Sequence, residues 1–121
     1  MHINLEAADI HSIQSYSDRE IQVNSQTYQN SLIISNQAII TDWPVTSIQQ
    51  LKEENLEPLL RSIPKIIIIG HQQAGQFASP SVMAELAQRR IGLEVMSIGA
   101  ACRTFNILLN EHREVVIGII L

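Results

Sequence analysis

Arg103, Asn106 and Asn110 recur at helical spacing along one flank of a segment that reads as an α-helix from about Ile98 to Glu111. Gly99 lies above them at the helix start. A guanidinium can hold a carboxylate or phosphate at two points, and an amide both donates and accepts. Free N–H groups at a helix N-terminus add an attraction for anions. A second polar stretch, Gly70–Ser79, reads GHQQAGQFAS and follows the end of an apolar run, where open α/β sheets bind ligands. Together they define a candidate ligand set of Gly70, His71, Gln72, Gly99, Arg103 and Asn106 for a small anion or metabolite. His71 would serve there as an orienting group or a base titrating near neutrality. Each residue also has a plainer role. Arg103 can pair with a carboxylate or cover a loop end. Asn106 can tie a neighbouring backbone, and the glycines can simply permit turns. His71 then is an exposed loop histidine.

Other chemistries lack their residues. Gly70 and Gly75 have phosphate-loop spacing, but Gln76-Phe77 stands where Lys and Ser/Thr are required, and no GxGxxG occurs. His2, His11, His71 and His112 show no HExxH-type pairing, so no metal ligands are assigned. No GxSxG, Ser–Lys pair or acidic dyad stands out, so no catalytic residue and no cofactor are assigned, and the reading leans away from an enzyme. Cys102 near a helix start could be an activated thiol, but it falls between Ile98 and Phe105 on the apolar face and reads as buried and inert. The net charge is -4, and no basic block exceeds Arg89-Arg90, which argues against a nucleic-acid surface. A single cysteine excludes an internal disulfide and fits a reducing compartment. The N-terminal stretch has no signal-peptide pattern and the apolar runs are too short to span a bilayer, so a cytoplasmic location is expected.

The elements that must position these groups follow from the apolar pattern. Residues 1–20 read as an irregular lead-in, and residues 21–121 as one domain. Ile21–Trp43 reads as three short strands in a β-meander, with turns at Asn24-Ser25 and Asn36-Gln37. Thr46…Gln49 has capping-box spacing. A helix capped by Asn55 takes Pro58 in its first turn, buries Leu56, Leu59, Leu60 and Ile63, and stops at Pro64. KIIIIG, Lys65–Gly70, predicts a strand covered on both faces. Ser79-Pro80 opens a helix with Val82, Met83, Leu86 and Ala87 as its apolar stripe and Gly92 as its stop. Leu93–Met96 predicts a further buried strand, and Val115–Leu121 the last. On the intervening helix, Ile98, Ala101, Cys102, Phe105, Leu108 and Leu109 share the core face, while Ile107 and Ala100 lie opposite. Strand, helix, strand, helix, strand at this spacing predicts a three-layer α/β domain with parallel, right-handed crossovers.

Met96–Arg113, MSIGAACRTFNILLNEHR, resembles the Mth-type family first defined as a domain of unknown function. The matching residues are Ala100, Ala101, Cys102, Arg103, Thr104, Phe105, Asn106, Leu108, Glu111 and Arg113. Trp43 with Val45, Leu59-Leu60, IIIIG and Phe77-x-x-Pro80 add positions in the family's order, so the resemblance covers about Ile21–Leu121. Gly70-His71-Gln72 departs from the Gly-Thr-Gly of many relatives. The resemblance implies a mixed, mostly parallel sheet flanked by helices, with a small N-terminal β-meander. It also implies a last strand inserted antiparallel in the middle of the sheet. Its eukaryotic members include a mitochondrial complex I assembly factor and an adipogenesis-associated protein. It therefore implies a protein-binding or assembly factor whose partner is another protein, and the short chain, read as having no leader, is expected to be prokaryotic. A ligand-binding protein or small enzyme is the rival reading, and self-association through Ile107 to form a homo-oligomer is the third.

Overall fold

The computed structural model describes residues 11–121. The expected lead-in lies outside the described residues over positions 1–10, and the remainder is not all irregular. Strand β1, Ile13–Tyr16, pairs antiparallel with β2, Ile21–Val23, which pairs with β3, Gln26–Tyr28. These three form a separate small sheet. The meander therefore begins earlier than the apolar alternation suggested and ends at Tyr28. β4, Leu32–Ser35, and β5, Ile39–Ile40, belong instead to the main sheet. The turn at Asn24-Ser25 falls as expected, with both residues in the left-handed region.

The main sheet has five strands in the order β5-β4-β8-β6-β7, where β6 is Ile66–His71, β7 is Gly92–Ser97 and β8 is Val115–Ile119. β6 is parallel to both β7 and β8, whereas β4 is antiparallel to both β8 and β5. Only β4 is thus reversed, and the sheet is mixed but mostly parallel. The last strand sits in the middle of the sheet, as the resemblance implied, but it runs parallel to β6. Its direction follows the crossover rule rather than the implied antiparallel insertion. Helix α2, Pro80–Gln88, carries the chain from β6 out to β7, and helix α3, Ile98–Asn110, carries it back over β6 to β8. Right-handed crossovers in opposite directions put the two helices on opposite faces.

The packing agrees. Ile34, Ile68, Ile117 and Ile119 meet Ala101, Cys102, Phe105 and Leu109 of α3, and Ile13, Ile21 and Val23 of the small sheet close that layer. On the other face Ile33, Ile67, Ile69 and Val116 meet Trp43, Leu59, Val82 and Leu86. The four consecutive isoleucines of β6 therefore feed two cores alternately, which is why the run lacks polar residues. Each fully buried aliphatic or Phe side chain contributes about 1.5–3 kcal/mol. Two glycines permit close approach. A Cβ on Gly118 of β8 would lie 2.9 Å from Trp43, and one on Gly70 of β6 would lie 2.8 Å from the Ala101 Cβ. Gly70 thus lets α3 start directly on the sheet.

Several local expectations change. Asn55 ends a 3-10 turn, Glu53–Asn55, and the α-helix after it, α1, is a single turn over Glu57–Leu60 with Pro58 in it. Ile63 is not buried but 78% exposed, with φ 53°. Pro64 disfavours the helical region for the residue before it, and the chain turns left-handed there instead. Thr46 is answered not by Gln49 but by Gln50, whose Oε1 accepts from both the Thr46 N–H and its hydroxyl. Ser79 caps α2 as expected, accepting from the Val82 N–H. The stop comes at Arg90, φ 59°, not at Gly92. There Ile91 N–H bonds the Leu86 carbonyl and Arg90 N–H the Ala87 carbonyl, a Schellman closure. Met83 and Ala87 remain exposed because only Val82 and Leu86 reach the sheet. β7 is an edge strand with Leu93, Val95 and Met96 half-buried, not a buried strand. A short apolar run does not by itself tell a central strand from an edge covered by two helices.

Candidate functional site

The expected site residues fall into two groups. Asn106 of α3 faces the small sheet, where its Oδ1 accepts the Ile13 N–H at 2.8 Å and its Nδ2 donates to the Ile13 carbonyl at 2.9 Å. One amide side chain thus satisfies both backbone groups of a single residue of β1. Arg103, one turn earlier, donates from Nη1 to the Tyr16 hydroxyl at 2.8 Å. Tyr16 lies over Gly99, and a Cβ there would meet the ring at 3.1 Å and the guanidinium at 3.2 Å. Gly99, Arg103 and Asn106 therefore form a strip on which β1 is seated. Asn110, further along the flank, is exposed. The α3 start is capped by Ser97, whose hydroxyl accepts the Ala100 N–H at 3.3 Å.

Gly70, His71 and Gln72 lie at the C-terminal end of β6. His71 pairs across the ladder with Ser97 just before α3. It is a buried end-of-strand residue, 5% exposed, rather than the exposed loop histidine of the plain reading. Its Nδ1 accepts the Gln73 N–H at 3.0 Å, which leaves the ring proton on Nε2. Burial pushes its pKa below the usual value, opposed by a hydrogen bond with the Gln76 backbone. Gln72 is exposed, while Gln73 reaches back to accept the Ile48 N–H at 3.0 Å and anchors the loop. Gly70 and His71 meet the start of α3, whereas Arg103 and Asn106 lie further along it, turned to Tyr16 and Ile13.

Cys102 is fully buried beside Phe105, and burial pushes its thiol up to about 12, with the nearby Arg103 charge opposing. It has no thiolate to offer near neutrality. Among the described residues, no group of three or more His, Cys, Asp or Glu side chains converges as a metal site. No helix among them is long and apolar enough to cross a membrane. The partner missed by sequence reasoning is Tyr16, which lies in the stretch read as irregular and 87 positions from Arg103. Its signal was a lone Ile13 a few residues ahead of the Ser17-Asp18 turn, weak over so few residues.

The sheet's other face carries two depressions of about 480 and 510 Å³ that meet at Leu60 and Arg89. The first is bounded by two exposed i,i+4 ion pairs, Glu57–Arg61 and Glu85–Arg89, each closing at 2.8 Å. Arg61 holds the Glu57 carboxyl below its usual range. Neither depression touches the candidate set.

A curated Francisella tularensis protein named 13 kDa major membrane protein is 29% identical over 94 residues, covering 77% of this chain and 76% of that one. A Xenopus tropicalis protein named NADH dehydrogenase [ubiquinone] 1 alpha subcomplex assembly factor 3 is 24% identical over 110 residues, covering 89% of this chain and 60% of that one. The chain thus spans less than two thirds of that relative's length. Among solved structures, a Xanthomonas campestris protein matches with a TM-score of 0.84 and 35% identity, over 99% of this chain and 92% of that one. A Bordetella pertussis protein described as an Mth938-like domain shares the fold, with a TM-score of 0.79 at 21% identity over 99% and 90% of the two chains. The model of the family described as protein of unknown function (DUF498/DUF598) matches residues 13–120, from the start of β1 to the residue after β8, so the chain belongs to that family.

Proposed function

We propose that the chain is a non-enzymatic protein-binding or assembly domain, acting on another protein as respiratory complex I assembly factors do. The observation that carries this reading is the use of the α3 flank. Its guanidinium and half-buried amide, the groups best suited to a ligand, are engaged in seating β1. The assembly-factor name of one relative supports the same direction. What the surface offers in exchange is exposed apolar side chains, among them Phe77, Met83 and Ile107. Ile107, 58% exposed, also keeps self-association open as a homo-oligomer surface. A prokaryotic cytoplasmic setting, with no nucleic-acid partner, is part of the proposal. It is supported by the free, buried Cys102 and the acidic balance.

The test is capture of the tagged chain, expressed at its native level, followed by identification of stoichiometric partners. A respiratory or membrane-assembly subunit is expected, and its absence in repeated captures overturns the reading.

A second reading keeps one specific support. His71 is buried, with its Nδ1 committed to the loop, directly beside the first turn of α3. An anion or metabolite bound by Gly70, His71 and Gln72 with the α3 N-terminus would broaden or shift their amide resonances on addition of phosphate or a carboxylate. Arg103 and Asn106 would join that site only by releasing β1.

A further inference from the structure

We propose that the groove running over Leu60, between the α1 turn and the end of α2, docks an acidic segment of a partner protein that carries an aliphatic or aromatic anchor. This rests on the protein-binding reading and gives it a surface and a partner chemistry.

Three observations converge on the groove. The first is its charge. The end nearest Ile63 is bounded by Lys65, Arg89 and Arg90, with no carboxylate among its lining residues, on a chain of net charge -4. The second is what is already neutralised. At the other end Glu57 is paired with Arg61 and Glu85 with Arg89, while Glu53, which accepts from the Ser81 hydroxyl at 3.0 Å, keeps its charge. Among the described residues neither Lys65 nor Arg90 has a carboxylate within ion-pair distance. With Arg89 taken up by Glu85, the unmatched charge at the Ile63 end is that of Lys65 and Arg90 and is positive, which favours an acidic occupant there over a second copy of this acidic chain. The third is backbone conformation. Ile63 and Arg90, φ 53° and 59°, hold the left-handed conformation that glycine would adopt without cost, and both border this groove. Glycine at either position would remove the strain together with the side chain. Ile63, 78% exposed, and Arg90, with no carboxylate within ion-pair distance among the described residues, offer an anchor contact and a charge contact side by side.

The test selects random twelve-residue peptides on the full chain and titrates a selected synthetic peptide by NMR. Enriched peptides should be acidic with a large apolar residue, and amide shifts should centre on residues 60–65 and 89–92. The Lys65→Glu/Arg90→Glu double variant should bind at least about tenfold more weakly, and raising NaCl from about 0.05 to 0.5 M should weaken the native chain similarly. Both positions are exposed, and a dispersed amide spectrum verifies folding. Arg90→Gly provides the second arm, with Tm rising by about 2–5 °C while affinity falls. Enrichment of basic or neutral peptides, no enrichment, or shifts centred on β7 or α3 overturns the proposal. So does charge-sensitive self-association, or charge-sensitive binding to phosphatidylglycerol vesicles in place of peptide. If native partner capture succeeds and the double variant keeps the partner, the groove assignment alone falls; if capture itself fails, the protein-binding reading falls.

Discussion

Replacing Asn106 by alanine separates a seat for β1 from a ligand contact. The substitution removes two hydrogen bonds, of 2.8 and 2.9 Å, to the N–H and carbonyl of Ile13. Each is worth about 0.5–1.5 kcal/mol net, and a backbone group left without a partner costs about 1–3 kcal/mol where water is excluded. Ile13 itself is 5% exposed, whereas Asn106 is half-buried, so water can replace part of what is lost. The expected loss is about 2–3 kcal/mol, or on the order of 10 °C in Tm for a domain of this size. Asn110→Ala is the control, one turn further along the same flank and exposed, with an expected change within about 0.5 kcal/mol. Urea melts give the difference, and amide exchange locates it. Protection should fall through the small sheet, residues 13–28, before β6 and β8 are affected. If Asn106→Ala costs no more than Asn110→Ala, or if exchange rises evenly over the main sheet, the clamp is not what holds β1. A residue reserved for a ligand would show that pattern.

Four further outcomes follow from the packing and the titrating groups. Gly118→Ala drives a methyl to within 2.9 Å of Trp43 and 3.2 Å of Ile69 in the middle of the sheet, and should cost about 1–3 kcal/mol with a change in Trp43 fluorescence. His112→Gly, at the left-handed residue closing α3, should stabilise by about 0.5–1 kcal/mol in the same melts. Cys102 has its thiol raised from 9.0 to about 12, so the folded state holds that proton more tightly. Its stabilising contribution should be complete below pH 9 and lost as pH rises towards 12, with thiol reagents near pH 8 reacting only through unfolding. His71 is lowered below 6.5, so its contribution should be complete above that pH and lost as pH falls through the folded value, releasing the Gln73 N–H from Nδ1.

The three-layer architecture and the core face of α3 were legible because they rest on strong periodic signals. IIIIG announced a strand buried on both sides, and Ile98, Ala101, Cys102, Phe105 and Leu109 fell on one side of the helical wheel and are all buried. The Ser79 cap with Pro80 was equally plain. What failed to show depends on contacts between distant segments. β1 is four residues with one buried side chain, and its place is fixed by Asn106 and by pairing to β2. Left-handed closures at Arg90 and His112 carry no glycine to announce them. Ile63 reads as core by type, yet the proline after it turns it outward. The central position of the last strand was legible in the doubly apolar VVIGIIL together with the family resemblance, but its direction was not, because crossover logic pointed to parallel and the resemblance to antiparallel. Of the candidate site, the individual residues were legible and their partners were not. Arg103 and Asn106 stand out on a wheel, but Tyr16 and Ile13 are reached only through the fold.

Under the proposed function this chain works by holding another polypeptide rather than by transforming or storing a small molecule. Native mass spectrometry of the chain, purified gently from cells that carry it at their own expression level, tests this most directly. The proposed function predicts a complex whose mass exceeds the 13.6 kDa chain by that of a second, different polypeptide, released as salt is raised. A chain found without a polypeptide partner and retaining a small molecule of defined mass would contradict it.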